Sequence, residues 1–417
     1  MYRGVQCLTT TRARRYPRRI EFSQGTLKTD SEFATARIFD TTLRDGEQSP
    51  RTSFSYDDKR EIAAALDTAG VDAIEAGFPV NSDAEFAAVR DIASAADTTV
   101  CGLARVVEKD VEAAIDAGVD LVHVFASTSD VQIEDSMHAS REAVIERSVR
   151  SVERAAESGA EVMFSPMDAT RTDPDYLAEV VEAVSAVGVD WINVPDTCGV
   201  ATPGRFADLI RTVREHTDAR IDVHTHDDFG LASANALAGF EAGADRAQVS
   251  VGGIGERAGN AAFEQVVMAA ESVYGADTGV DTTKITELAR IVEARSGVPT
   301  APNAPVVGDN AFAHESGIHA AGVIENSATF EPGVMTPEMV GAERELVLGK
   351  HTGTHSVRER LRQAGYDPTD EEVRAVTREV KDRGAAGDEI TEDTLTTVAE
   401  ANDVAREPER ITEEPAR

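Results

Sequence analysis

The sequence predicts an α/β protein, a (β/α)₈ TIM barrel followed by a small, mostly helical C-terminal appendage. A glycine followed two residues later by an acidic residue recurs at five places between residues 70 and 245, as in Ala69-Gly70-Val71-Asp72. Each glycine suits the left-handed residue that ends a helix before the chain enters a strand. The apolar runs that follow are short and nearly continuous, as expected for parallel strands buried on both faces.

Eight such runs are predicted as strands, at residues 36–40, 73–77, 99–103, 121–126, 161–165, 191–195, 222–226 and 248–252. Helical patterns lie between them, for example at residues 57–69, 141–158 and 174–187. Alternating strands and helices over roughly 220 residues are typical of a (β/α)₈ barrel. An open, doubly wound sheet is the structural alternative.

The flanking regions differ in composition from the barrel, which is predicted at residues 36–275. Residues 1–35 begin with an arginine-rich stretch without acidic residues and are predicted as a disordered arm. Pro and Asn cluster at residues 297–305, within a segment at 276–330 that is predicted as a linker. Residues 331–401 are predicted as a helical subdomain, with helices at 355–363 and 370–383, and residues 402–417 as a disordered tail.

The charge balance is strongly acidic, with 41 Lys and Arg against 75 Asp and Glu, a net charge of −34. Such a surface argues against nucleic acid as a partner. Only six of these 41 basic residues are lysines. An acidic, lysine-poor surface predicts adaptation to a high-salt cytoplasm, as in a haloarchaeon, because salt screens the self-repulsion.

The cysteines Cys7, Cys101 and Cys198 are scattered and lack CxxC spacing, which argues against a disulfide framework or a thiolate zinc site. No apolar run reaches the roughly 18 residues of a membrane span, and the N-terminus lacks the apolar region of a signal peptide. We therefore expect a cytoplasmic protein without a membrane partner.

Polar residues concentrate where predicted strands end, which is where barrel enzymes carry their chemistry. The first strand runs into a polar segment at residues 40–48, and the seventh contains His224 and His226. Residues two apart on a strand share a face, so both histidines should point into the barrel mouth while Thr225 points at the helices. Two imidazoles and a carboxylate from another strand suit a divalent metal, although such a histidine pair can also serve packing alone. The eighth run continues into a glycine-rich loop at residues 252–260.

Three segments resemble, in order, the signatures of the 2-isopropylmalate, citramalate and homocitrate synthase family. They are DTTLRDGEQ at residues 40–48, HTHDDFG at 224–230 and GIGERAGN at 253–260. HESGIH at residues 314–319 and LGKHTG at 348–353 resemble two further signatures of that family. The resemblance covers roughly residues 36–381 and implies a metal-dependent acyltransferase that condenses acetyl-CoA with a small 2-oxo acid.

The resemblance also implies roles for individual residues. Mg²⁺, Mn²⁺ or Zn²⁺ would be held by Asp45, His224, His226 and Asn260, and Arg44 would offset the charge that develops on the substrate. His319 is implicated as the base, reaching in from the lid of the partner subunit in a homodimer, so the segment 276–330 would include a lid. The substrate would be contacted by Thr197, Ser165, Asn193 and His123, of which His123 is expected to shape the pocket or satisfy the core rather than bind metal. A surface ion pair remains the alternative for Arg44 and Asp45, and a helix cap the alternative for Asn260.

Two positions depart from the family pattern. Met167 stands where the family normally has a Glu against the catalytic arginine, so Arg44 must find its partner in Asp168, Glu75, Glu47 or the substrate. Ala321 stands where many members have an acidic residue. A non-catalytic barrel that binds a metabolite is therefore retained as an alternative.

The pocket motifs predict 3-methyl-2-oxobutanoate as substrate, then pyruvate, then 2-oxoglutarate. The chain would then be a 2-isopropylmalate synthase of leucine biosynthesis, with citramalate synthase and homocitrate synthase as alternatives. A lyase of the hydroxymethylglutaryl-CoA type would share the metal site. That lyase uses a cysteine in the eighth loop, and residues 252–260 contain none.

Overall fold

Eight parallel strands close into a barrel in the computed structural model of the chain, which confirms the predicted (β/α)₈ fold. The structure describes residues 33–316 and 334–406, together with Gly322 and two short paired strands, Phe22–Ser23 and Thr26–Leu27. The barrel strands are Arg37–Asp40 (β1), Ala73–Gly77 (β2), Thr99–Arg105 (β3), Leu121–Ser127 (β4), Glu161–Met167 (β5), Trp191–Asp196 (β6), Arg220–Thr225 (β7) and Arg246–Val249 (β8). Because β8 also pairs with β1, the barrel has no open edge.

A helix follows each barrel strand and covers its outer face. These helices are Tyr56–Ala69 (α1), Asp83–Ala95 (α2), Glu108–Asp116 (α3), Arg141–Ala156 (α4), Pro174–Ser185 (α5), Pro203–Arg214 (α6), Ala232–Glu241 (α7) and Phe263–Ala269 (α8). The recurring glycines end the helices as predicted; Gly70, for example, has a φ of 81° and closes α1. At the start of α1, Ser55 and Asp58 cap each other's backbone N–H groups.

Two strand predictions at the end of the barrel are displaced along the chain. The seventh strand was predicted at 222–226 and the eighth at 248–252, but both begin two residues earlier and end earlier, at Thr225 and Val249. The buried Arg246 explains the early start of β8, because its guanidinium pairs with Asp222 inside the sheet and stacks 3.7 Å from the ring of Trp191. Beyond β8, Gly252 has a φ of 66° and turns the chain out of the sheet.

The barrel interior is filled by side chains and is not an open channel. One layer takes a residue from each of the first six strands: Phe39, Ala73, Cys101, Leu121, Met163 and Trp191. A larger cluster of aliphatic side chains lies between the strands and the surrounding helices. The amino end of the barrel is therefore a packed core, and the carboxyl end is left for a site.

Residues 276–330, predicted as a linker, contain the helix Ile285–Ser296 (α9). Ile285, Leu288 and Val292 join the main hydrophobic core, so this helix packs on the barrel. The helical spacing of these apolar side chains favours a helix here, although Pro and Asn follow them in the sequence. The helix ends at Gly297, with a φ of 69°.

The C-terminal region is helical, as predicted. Its helices are Thr354–Gln363 (α10), Asp370–Ala386 (α11) and Glu392–Ala401 (α12), and a small parallel pair joins strands Ala313–His314 and Glu345–Leu346. The three helices share their own hydrophobic cluster. Order continues past residue 402, where a disordered tail was predicted, because Val404 is buried in that cluster and Ala405 O accepts from Asp367 N–H. Among the described residues, no helix is long and apolar enough to cross a membrane.

Candidate active site

Four side chains predicted as metal ligands meet at the carboxyl end of the barrel. Asp45 comes from the loop after β1, His224 from β7, His226 from just beyond β7 and Asn260 from the loop after β8. Nε2 of His224 lies 3.1 Å from Nε2 of His226 and 3.4 Å from Oδ2 of Asp45. Thr225 points the other way and donates to Ala232 O at 2.9 Å, as strand alternation predicts.

The protonation of this cluster suits a cation. All four side chains are buried. Burial, together with the neighbouring His224, lowers the pKa of His226 to about 4, so its ring is neutral at neutral pH. Burial opposes ionisation of Asp45, but Arg44 and the two histidines lower the pKa of its carboxyl well below the usual range. An ionised carboxylate therefore faces the neutral ring of His226, with the ring of His224 beside both.

Unsatisfied polar atoms support the same interpretation. Oδ1 of Asn260 is buried and lacks a hydrogen-bond partner among the described residues, while its Nδ2 donates to Asp45 Oδ1 at 3.3 Å and to Ile254 O at 3.1 Å. An orphaned buried oxygen is costly unless something binds it. Asn260 does not cap the following helix, since the N-cap of α8 is Ala262 and has no side-chain cap. The donor set, two imidazoles with a carboxylate and an amide oxygen, fits a divalent metal.

The loops that carry these ligands are tied to one another. Asp228, after β7, binds the guanidinium of Arg257 in the glycine-rich loop through both oxygens, at 2.8 Å each. Arg257 also donates to Thr197 O at 2.7 Å, which joins the loop after β6. Gly259 has a φ of 94°, and a Cβ there would overlap the carbonyl oxygen of Gly253. These interactions fix the glycine-rich loop against the predicted metal ligands.

Arg44 lies in a buried network rather than in a surface ion pair. Its Nε donates to Glu75 Oε2 at 2.6 Å and its Nη1 to Asp45 Oδ2 at 2.7 Å, and its side chain is 11% exposed. Of the carboxylates considered as its partner, Glu75 is the one that binds Arg44, in the role of the Glu that the family normally has at the position of Met167. Asp168 instead pairs with Arg171, and Glu47 with the buried Lys59.

Glu75, which the sequence offered only as one of several possible partners of Arg44, lies at the centre of this network. It is fully buried in β2 and accepts from Thr41 Oγ1 at 2.6 Å and from His123 Nδ1 at 2.7 Å, in addition to Arg44. Burial alone would raise the pKa of its carboxyl, but Arg44, His123 and Thr41 lower it to about 2. The available signal was a single charged residue inside an otherwise apolar strand, AIEAG.

The predicted substrate residues form a hydrogen-bonded chain beside this network. Glu75 accepts from Nδ1–H of His123, and the other ring nitrogen, Nε2, is hydrogen-bonded to the hydroxyl of Ser165 at 2.6 Å. Asn193 Nδ2 donates to the same hydroxyl oxygen at 2.6 Å. His123 thus joins Glu75 to the pocket wall formed by Ser165 and Asn193. Thr197 Oγ1 accepts from Asp168 N–H at 2.9 Å, which leaves its hydroxyl proton for another acceptor.

These groups line one cavity of about 230 Å³ at the barrel mouth. Its wall includes Arg44, the two histidines and the hydrogen-bonded chain, with Leu103, Phe125 and Pro195 as apolar contacts. His319, the predicted base, and Ala321 lie outside the described residues. Of the HESGIH segment, Glu315 is described and accepts from His351 N–H of the LGKHTG segment at 3.2 Å.

Comparisons with known proteins agree with this architecture. A family model described as HMGL-like matches residues 35–292, and one described as homocitrate synthase post-HMGL domain-like matches residues 306–388. A probable 2-isopropylmalate synthase of Archaeoglobus fulgidus is 50% identical over 367 residues, covering 88% of this chain and 73% of that protein. A putative (R)-citramalate synthase of Methanopyrus kandleri is 46% identical over 367 residues, covering 87% and 72%. Among solved structures, hydroxymethylglutaryl-CoA lyase from Pseudomonas aeruginosa is 27% identical with a TM-score of 0.58, covering 64% of this chain and 95% of that chain.

Proposed function

Because this chain belongs to the HMGL-like family and, within it, to the 2-isopropylmalate synthase family, we propose that it condenses acetyl-CoA with 3-methyl-2-oxobutanoate. The acetyl methyl carbon loses a proton and bonds to the keto carbon, whose oxygen gains a proton. Water then cleaves the thioester, which releases CoA and 2-isopropylmalate. The observation that carries the proposal is the cluster of Asp45, His224, His226 and Asn260 facing the cavity at the barrel mouth.

These four residues would hold a divalent metal, which would polarise the keto group of the 2-oxo acid when bound. Arg44 would stabilise the negative charge that develops on the keto oxygen. Its Nε and Nη1 are held by Glu75 and Asp45, so its position is fixed and Nη2 is left for the substrate. Donors held in place before reaction stabilise charge without the cost of reorganisation.

Thr197 and the chain of His123, Ser165 and Asn193 would orient the 2-oxo acid. The hydroxyl proton of Thr197 suits a substrate carboxylate, since its oxygen already accepts from Asp168 N–H. We assign the base to His319, and a homodimer whose lid carries it, on the family resemblance alone.

The choice of 2-oxo acid rests on the cavity wall. Leu103, Phe125 and Pro195 offer apolar contact to an isopropyl group. Of the two arginines in that wall, Arg44 is assigned to the reacting keto oxygen and Arg257 is paired with Asp228, which disfavours the second carboxylate of 2-oxoglutarate. The citramalate synthase relative supports pyruvate as the second candidate.

A thiol-release assay would test the proposal directly. Purified protein in molar KCl with Mg²⁺ or Mn²⁺ would receive acetyl-CoA and, separately, 3-methyl-2-oxobutanoate, pyruvate or 2-oxoglutarate. We expect the highest kcat/KM with 3-methyl-2-oxobutanoate and the lowest with 2-oxoglutarate. Release with pyruvate alone would establish the citramalate alternative, and no release with any 2-oxo acid would refute synthase activity.

A further inference from the structure

A second cavity of about 230 Å³ lies between the glycine-rich loop, α8, α9 and residues 298–304. It shares no lining residue with the active-site cavity. Its walls combine aliphatic side chains, among them Val251, Ala289, Val292, Val298 and Ala301, with polar ones. A space of this size holds a molecule of a few heavy atoms.

Two carboxylates line this cavity, Glu264 and the half-buried Glu293, and Glu264 is the buried one. It is 2% exposed, and its Oε2 accepts from Gly252 N–H at 3.0 Å. None of the ion pairs among residues 33–316 and 334–406 gives it a cationic partner. Burial raises the pKa of Glu264 to about 7, despite hydrogen bonds from its own backbone and that of Gly252.

A second fully buried carboxyl group, Asp40, lies near Glu264 but does not line the cavity. Its oxygens accept from the backbone N–H and the hydroxyl of Thr42, and burial with nearby Glu264 raises its pKa to about 7 as well. In many barrels the loop after the eighth strand binds phosphate. Here the carboxylates that line the cavity, Glu264 and Glu293, would repel an anion and attract a cation.

We propose that this cavity binds a small molecule with a protonated amino group and a short aliphatic chain, and that the bound molecule strengthens metal binding at the active site. The amino group pairs with Glu264, and the aliphatic chain packs on Val292, Ala289 and Val298. A buried ammonium with a carboxylate forms a charge-assisted hydrogen bond, which is stronger than a neutral one.

The coupling runs through three residues of the glycine-rich loop. Gly252 N–H donates to Glu264, Gly253 O accepts from Asn260 N–H at 2.9 Å, and Ile254 O accepts from Asn260 Nδ2 at 3.1 Å. Gly252 and Ile254 also line the cavity. A ligand that holds the loop therefore holds Asn260, and by linkage the metal strengthens binding of the amine to the same extent.

Isobutylamine is the probe. Isobutanol and isobutyrate, which have the same branched aliphatic group, serve as its neutral and anionic controls. Calorimetry on the full chain without metal should show saturable binding of isobutylamine and none of isobutyrate. Glu264→Gln should weaken amine binding by about tenfold or more, the loss expected for a hydrogen bond to a charge. Ala301→Trp places a large side chain from an exposed position into the cavity and should abolish binding.

The coupling rests on the metal site proposed above, so it is measured separately. Saturating isobutylamine should tighten Mn²⁺ binding, followed by electron paramagnetic resonance, by about fivefold or more in the unmodified protein. His226→Ala should lose Mn²⁺ yet keep amine binding, which separates failure of the metal site from failure of the cavity. Equal binding of isobutyrate, or amine binding unchanged in both cavity variants, would overturn the site. If the affinity for Mn²⁺ is the same with and without saturating isobutylamine, the coupling is refuted.

Discussion

Replacing Glu75 by Gln tests whether the buried network positions Arg44. Gln keeps the size of the side chain but removes the charge that accepts from Arg44 Nε and His123 Nδ1. Arg44 keeps its bond to Asp45 Oδ2 at 2.7 Å, so it stays near the site without its fixed orientation. We therefore expect metal binding to persist and turnover to fall.

The magnitude follows from the charged hydrogen bond between Glu75 and Arg44, which the substitution weakens. One hydrogen bond to a charged group is worth about 1.5–3 kcal/mol. If that free energy no longer stabilises the transition state, kcat/KM falls by roughly 10- to 150-fold. Removing one partner of a buried ion pair costs about 3–5 kcal/mol of stability, and the lower end applies because Asp45 remains.

Asp222→Asn is the matched control. Asp222 is also fully buried in a barrel strand and pairs with an arginine, Arg246, at 2.9 Å, but that arginine, unlike Arg44, does not line the active-site cavity. Steady-state kinetics and urea unfolding would be measured for both variants. Both should lose stability, and only Glu75→Gln should lose kcat/KM beyond twofold or so, as expected for a site residue. Equal kinetic losses, or full activity of Glu75→Gln, would refute the positioning role.

Three further outcomes follow from the site. His226→Ala and Asp45→Ala should both abolish bound metal and turnover while the cooperative unfolding of the barrel persists; metal retained in both would disprove the ligand assignment. Met167→Glu should leave kcat within about twofold, because Glu75 already holds Arg44, whereas a large loss would mean that the pocket depends on the thioether. The pKa of Asp40 in the folded protein is raised to about 7, so binding of its proton stabilises the fold at pH 4. This contribution to the free energy of unfolding falls by about 1.4 kcal/mol per pH unit as the pH rises toward 7. Asp40→Asn should therefore unfold at higher urea than the unmodified protein at pH 8 and not at pH 4, and an equal shift at both would contradict the assigned pKa.

The fold was predictable because its signals are local. Glycines such as Gly70 mark helix ends, and continuous apolar runs mark parallel strands. The barrel and most bounds of its helices and strands can therefore be predicted from short stretches of sequence. The family was recognised because several motifs resemble its signatures in the same order, and the matching family models and relatives confirm it. The helix Ile285–Ser296 was missed because Pro and Asn directly after it favoured a linker.

Features that depend on contacts between distant strands could not be derived from the sequence. Glu75 has no motif spacing, and its role appears only when β2 brings it to Arg44 of the preceding loop and His123 of β4. The cavity at Glu264 is assembled from the glycine-rich loop, α8, α9 and residues 298–304, none of which signals it alone. The role of His319 and the high-salt adaptation stay predictions.

Product identification tests the central claim most directly. Isotope-labelled acetyl-CoA, 3-methyl-2-oxobutanoate and Mg²⁺ would be incubated with the unmodified chain and with the His224→Ala His226→Ala double variant, and the products separated by mass spectrometry. We predict labelled 2-isopropylmalate from the unmodified chain and none above background from the variant. A different labelled product, or the same yield from both proteins, would contradict condensation at this metal site.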